Sequence, residues 1–181
     1  MSSEGNSIQI QGIFKGGPIS YEDYDTNYPN VFTAVAKAIH AVLPSVQVEH
    51  VGSTSIPGLG GRRVLDIVIP AEQGSHDEIV SKLMSIAFIK SPLTHMQPML
   101  TGVIHFNDKD YPMLLYVLPK DSEIYRGWIA FRSYMQQHPE EVQHYSDVKK
   151  RAIAEGKTNP WVYQQAKTPY LESLVTKISK S

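Results

Sequence analysis

His50-Val51-Gly52-Ser53-Thr54-Ser55-Ile56-Pro57-Gly58-Leu59, followed by Arg62-Arg63-Val64-Leu65-Asp66-Ile67-Val68-Ile69, is the stretch on which the reading of this chain turns. It reads as strand, tight polar turn, strand. In the first strand, Val46 to His50, apolar Val46 and Val48 alternate with Gln47 and Glu49, the period of a half-buried strand. The second, Val64 to Ile69, is almost continuously apolar and β-branched, as suits a central strand buried on both faces. Between them, Gly52, Gly58, Gly60 and Gly61 let backbone approach where a Cβ would block it. Ser53, Thr54 and Ser55 add donors beside free backbone N–H groups. Such a loop cradles an anion, usually a phosphate; the alternative is that its hydroxyls satisfy only their own backbone. Asp66 is the single acid on the second strand, and a carboxylate there is costly unless it holds a cation or accepts a hydrogen bond.

Outward from this unit, Val31, Phe32, Val35, Ala38, Ile39 and Val42 recur at helical spacing, so a helix opening at Pro29 or Asn30 packs one stripe on the sheet and stops before Pro44. Residues 1–7 read as a tail, and Ile8 to Phe14 as a short edge strand or a packed arm. Downstream, Ser75 with Glu78 suggests a capping box on a helix from His76 to Ser85. Phe88 to Lys90 suits a short strand, and Pro92 to Pro98, with His95, is irregular. Gly102 to Phe106 and Met113 to Leu118 read as paired strands joined by a polar turn at Asn107–Asp110. From Asp121 the pattern is helical. Ile124, Trp128, Phe131 and Met135 form one stripe. His138-Pro139 is a break, and Pro139 to Glu155 is a helix with Gly156 as C-cap. Asn159-Pro160 opens a last helix through Lys177. The expected fold class is α+β in one domain, with residues of about 8–120 forming a mixed α/β part and about 121–179 a helical part.

The composition narrows the function classes. A formal net charge of −1 gives no global field toward DNA or an anionic membrane. The chain has no cysteine, which removes disulfides, thiolate chemistry and cysteine-bound metal. No apolar run approaches membrane-spanning length, and no signal peptide is evident, so a soluble cytoplasmic protein is expected. His95, His105, His138 and His144 lack ligand spacing with carboxylates, so zinc is not expected. Trp128, Phe131 and Tyr134 read as packing residues, and nucleic acid is not the expected partner. Nothing in the sequence sets an oligomeric state.

The string Val48-Glu-His-Val-Gly-Ser-Thr-Ser-Ile-Pro-Gly-Leu59, with the basic pair and Asp66 after it, closely resembles the signature of the GrpB family. Tyr24-Asp25 with Tyr28-Pro29 and Phe32 looks like that family's opening. Phe131-Arg132, Tyr134, His138-Pro139, Tyr145 and Lys149 look like its helical pattern, and Tyr163-Gln-Gln-Ala-Lys167 is similar to its closing motif. The resemblance implies a nucleotidyltransferase-like fold: a mixed β-sheet flanked by helices, with a C-terminal helical region closing over the site. It implies a nucleotide or other phosphorylated small molecule as partner, and Mg2+-dependent nucleotidyl transfer as the candidate activity. Asp66 would then be the catalytic, metal-holding acid. The usual second acid, two residues on, falls on Val68, and the later strand offers Leu114 and Tyr116 in place of a third. Glu49 is the remaining candidate as a metal ligand. Phosphate contacts are expected from His50, Gly52, Ser53, Thr54, Arg62 or Arg63, Arg132, Lys149 and Lys167. The missing acids favour an alternative, a non-catalytic phosphate- or nucleotide-binding module on the same fold. A scaffold using its helical tail is a third reading.

Overall fold

The structure, a computed structural model, describes residues 10–11, 18–91 and 99–180. The expected irregular segment Pro92 to Pro98, with His95, and all but two residues of the expected arm from Ile8 to Phe14 lie outside the described residues. Six strands form one mixed sheet: β1 (Ile10–Gln11), β2 (Glu49–Val51), β3 (Leu65–Ala71), β4 (Ile89–Lys90), β5 (Met99–Phe106) and β6 (Lys109–Pro119). Their order is β1-β5-β6-β3-β2, with β4 also paired to β5. Only β3 and β6 run parallel, with Asp66 beside Leu114 and Val68 beside Tyr116. A parallel pair needs a crossover, which α2 (His76–Ser85), β4 and β5 supply.

Period-two alternation sorts the strand residues onto two faces. On one, Leu65, Ile67, Ile69, Met113, Leu115 and Val117 join Val31, Val35 and Ile39 of α1 (Tyr28–Val42) and the α2 stripe in the main core. On the other, Val51, Val68 and Leu118 are covered by Tyr125, Trp128 and Ile129 of α3 (Glu123–Gln137). Asp66 lies on this second face, in a row between Val51 and Leu114. The tail continues as α4 (Pro139–Ala154) and α5 (Pro160–Ile178). Its core holds Met135, Tyr145 and Leu174 together with Ile56 and Leu59 from the loop after β2, so the loop is plugged into the helices. No described helix is long and apolar enough to cross a membrane.

Three local expectations change. The first strand begins at Glu49, because Val46 is held at the end of α1, its N–H donating to the Leu43 carbonyl and its own carbonyl meeting His40 Nε2. Ser75 makes no capping box; its backbone is already helical and its hydroxyl donates to the Glu72 carbonyl. Ile124 faces solvent, one turn before the packed stripe begins. The Asn159 cap does form, its side chain accepting from the Trp161 and Val162 N–H groups.

The β5–β6 hairpin closes on two residues, Asn107 and Asp108, both left-handed at φ 47° and 60°. That is the primed turn matched to strand twist, in which glycine is preferred at the second place. Asp108→Gly is therefore expected to stabilise the protein by about 1 kcal/mol and to raise the melting temperature by about 3 °C. A fall in melting temperature would contradict the turn.

Candidate phosphate site at the glycine-serine turn

The antiparallel β2–β3 pair sets Val51 opposite Asp66. Gly52 follows with φ 69° and ψ −170°, a conformation open essentially to glycine alone. A Cβ there would stand 2.4 Å from Asp66 Oδ2, so the turn's backbone lies directly against the carboxylate. Ser53–Ser55 then form a single 3-10 turn. Two of its three hydroxyls serve the loop itself. Ser55 Oγ donates to the Gly52 carbonyl at 2.7 Å, and Thr54 Oγ1 reaches the Val64 carbonyl at 3.4 Å and His50 Nε2 at 2.9 Å. The Ser53 hydroxyl has no such partner among the described residues.

Beyond the turn, Gly61 and Glu22 exchange two backbone hydrogen bonds of 2.9 Å, strapping the N-terminal segment across the loop. Gly61 also marks where the tail arrives. A Cβ on it would lie 3.0 Å from Ser53 Oγ and 3.4 Å from Lys149 Nζ, so hydroxyl and ammonium border one spot. Lys149, on α4, is 2% exposed; its ammonium donates to the Gly60 carbonyl and stands 4.6 Å over the Tyr145 ring. Lys167, on α5, stands 4.7 Å over the Tyr163 ring. Arg62, in the loop, is exposed, and its charge acts on Asp66, Lys167, Tyr116, Tyr145 and Tyr163. Ser53 and Lys149 thus border one small volume at Gly61, and Arg62, Asp66 and Lys167 act on one another by charge.

The electrostatics of that volume are unbalanced. Burial lifts the half-buried Asp66 carboxyl to about 6 against the opposing pull of Arg62 and Lys167. Among the described residues no cation lies within ion-pairing distance of it and no group donates to it. Burial and then the neighbouring Lys167 lower Lys149 to about 7. Charging this amine in place is thus roughly 5 kcal/mol harder than in water. Burial, with Arg62 second and Asp66 opposing, brings Lys167 to about 8. Arg62 and Lys167 thus act on one acid that neither pairs, and no described acid pairs Lys149. The Tyr116 phenol, beside Val68 on β6, is kept neutral by burial and by Asp66.

Ser53, Gly52, Arg62, Asp66, Lys149 and Lys167 therefore come together as expected, and four other residues do not. His50 pairs in register with Ile67, on the main-core face, where it stacks 4.9 Å from Phe32. Burial, then Arg132, depresses its pKa to about 3, so the ring is neutral. Thr54 is turned inward with it. Arg132 Nη1 donates to Glu49 Oε2 at 2.8 Å and to the His50 carbonyl at 2.6 Å, fastening α3 to β2. Glu49 sits on the Asp66 face opposite Val68, where a second acid would be wanted, but its carboxylate is turned to Arg132. Among the described residues no three His, Cys, Asp or Glu side chains gather to hold a metal. One half-buried carboxylate among Val68, Leu114 and Tyr116 does not fit a two-metal centre, which needs two or three.

Tyr145 and Tyr163 are residues of this cluster that sequence motifs do not single out as site residues. A signal was there: Tyr145 precedes Lys149 by four residues and Tyr163 precedes Lys167 by four, the spacing that stacks side chains on one helix face. Each ring holds the following lysine from below by cation–π attraction. A hollow of about 600 Å³ at the far ends of β3 and α1 is lined by none of these groups.

The contact at Gly52 sets a stability test. Gly52→Ala is expected to cost at least about 2 kcal/mol in chemical denaturation, from positive φ and the collision with Asp66. Adding Asp66→Ala should restore the collision part, and strict additivity of the two changes would contradict the contact.

Solved structures share this fold. A solved structure, the conserved protein GrpB from Enterococcus faecalis, superposes with a TM-score of 0.69 at 20% identity, over 89% of this chain and 98% of that one. A cytoplasmic RNA terminal U-transferase superposes with a TM-score of 0.53 at 12% identity, over 82% of this chain but only 46% of that one. The shared fold is thus the nucleotidyltransferase-like one. A UPF0157 protein of Halalkalibacterium halodurans is 26% identical over 160 residues, spanning 87% of this chain and 80% of that protein. The family model described as GrpB protein matches residues 18–177, from the strapped N-terminal segment to the end of α5, and the chain belongs to the GrpB family.

Proposed function

We propose that this protein binds the phosphate of a nucleotide or another phosphorylated small molecule between the glycine-serine turn and helices α4 and α5, without two-metal nucleotidyl transfer. The observation that carries the reading is Lys149, an amine 2% exposed with no acidic partner among the described residues. A buried cation is costly unless it is paired, and an anion arriving beside Ser53, Arg62 and Lys167 supplies the missing charge. Arginine and lysine suit phosphate by geometry and by point charge respectively. The likeness to nucleotidyltransferases supports the placement of a ligand on this face of the sheet. Mg2+ enters only with such a ligand: a cation already bound to phosphate oxygens needs one carboxylate from the protein, which Asp66 would provide.

Differential scanning fluorimetry with pyrophosphate and a panel of nucleoside triphosphates, with and without Mg2+, tests the reading. Ligand at a hundred times its Kd should stabilise the wild type by about 2.7 kcal/mol. Lys149→Met should lose most of that shift, while the free variant melts a few degrees higher than the wild type because the desolvated ammonium is gone. No shift with any phosphorylated compound would end the reading.

The pH dependence follows from the same amine. Its folded pKa, about 7, lies below its ordinary 10.5, so between those values the unfolded chain holds a proton that the folded one does not. Ligand-free stability should therefore rise with pH across that window. Triphosphate binding needs the protonated amines and should behave oppositely, weakening as pH climbs through about 7 for Lys149 and about 8 for Lys167. Calorimetric titrations at pH 6.5 and 9 check this, and equal affinities would contradict it.

A further inference from the structure

We propose that Asp66 is a reader of a ligand hydroxyl, so that the site selects phosphate esters carrying a free hydroxyl, the sugar-phosphate class, over bare or alkyl phosphates. This inference rests on the phosphate-binding reading and adds the second half of the ligand.

The carboxylate stands in a row of apolar neighbours, Val51 on β2 and Leu114 on β6, with Val68 next on its own face. The Gly52 backbone presses against it from the turn. It is half-buried, and no described donor reaches it. Arg62 and Lys167 feel its charge, yet neither comes within ion-pairing distance. The cations therefore act on the acid from beyond ion-pairing distance.

A phosphate seated on the cations meets Asp66 as one negative group facing another. Something carrying positive charge or a proton must stand between them. A metal ion there would have Asp66 as its single protein carboxylate and would depend on the phosphate and water for every other ligand, because Glu49 is paired with Arg132 and Val68 and Leu114 occupy the other acid positions. A hydroxyl of the ligand meets the requirement unaided, because its proton points at the carboxylate and its oxygen remains on the ligand. Charge-assisted O–H···O bonds of this kind are short and strong, and the apolar surroundings strengthen them further. They also discriminate, since an analogue lacking the hydroxyl leaves the carboxylate buried beside a phosphate with nothing between. The neutral phenol of Tyr116, on the same face of the sheet as Asp66, adds a hydrogen-bonding group suited to a polyol rather than to a second charge.

Calorimetric titration of the full chain with ribose 5-phosphate and with propyl phosphate, in EDTA, is the test. The two probes carry the same phosphate, and only the first carries hydroxyls. The wild type is expected to bind ribose 5-phosphate at least tenfold more tightly. Asp66→Ala should abolish the preference while binding propyl phosphate as well as the wild type or better, since it removes a repelling charge. Asp66→Asn, which keeps the shape, should lose most of the preference too. Equal binding of the two probes by the wild type overturns the inference, as does a preference that survives both substitutions or that needs added Mg2+. If pyrophosphate, triphosphates and both probes all fail to bind, the phosphate reading itself falls, a result distinct from binding without selectivity.

Discussion

Ile56 and Leu59, both essentially without solvent exposure, hold this molecule's two halves together. They leave the sheet on the glycine-serine loop and end inside the helical tail, among Met135, Tyr145 and Leu174. A loop that served only to connect β2 to β3 would have no reason to carry two large apolar side chains into a remote core. Each buried aliphatic side chain contributes on the order of 2 kcal/mol, so the plug is a firm one. Its consequence is positional. With the loop fixed against α4 and α5, Lys149 and Lys167 arrive beside Ser53 and Asp66 rather than in solvent. Arg132 adds a second tie, bridging α3 to the Glu49 carboxylate and the His50 carbonyl.

The docking has an electrostatic cost that the free protein does not recover. Tyr145 and Tyr163 lend the faces of their rings to the two lysines, and the Gly60 carbonyl accepts from one of them. These offset part of the desolvation, yet both amines remain easier to deprotonate than in water. Strain of this kind, held at a site and offset elsewhere in the fold, is a common mark of a binding surface. The same balance explains the carboxylate. Asp66 stands as a lone carboxylate on its face among Val68, Leu114 and Tyr116, with the Glu49 carboxylate turned to Arg132.

Much of this was legible in the sequence, for identifiable reasons. The apolar run from Val64 to Ile69 admits one reading, a buried central strand, and it carries Asp66 to the sheet's second face whatever its ends. The absence of an acid at Val68 and from Met113 to Leu118 could be read directly. The cations of the tail were legible through motifs rather than geometry. Which face each β2 residue takes was not legible, because parity along a strand depends on register with β3. His50 and Glu49 are adjacent, and one turns to the main core while the other faces α3. Arg132 could not be placed either. Its partner lies 83 positions earlier in the chain, and only the docking angle of α3 brings them together. The hydroxyls of Thr54 and Ser55 went to their own backbone, the local competition that a sequence leaves open. The paired Tyr–Lys spacing on α4 and α5 was visible but reads as ordinary amphipathic packing until the two helices are seen to converge.

The proposed phosphate site depends on a buried ammonium, Lys149, that has no acidic partner among the described residues. The most direct measurement is the titration of the Lys149 side chain itself, followed by NMR of the carbon bearing the amine in lysine-labelled protein, free and with saturating pyrophosphate. The amine is expected to titrate near 7 in the free protein and to move clearly upward when pyrophosphate is bound. A free-protein titration at the ordinary 10.5, unmoved by pyrophosphate, would contradict it.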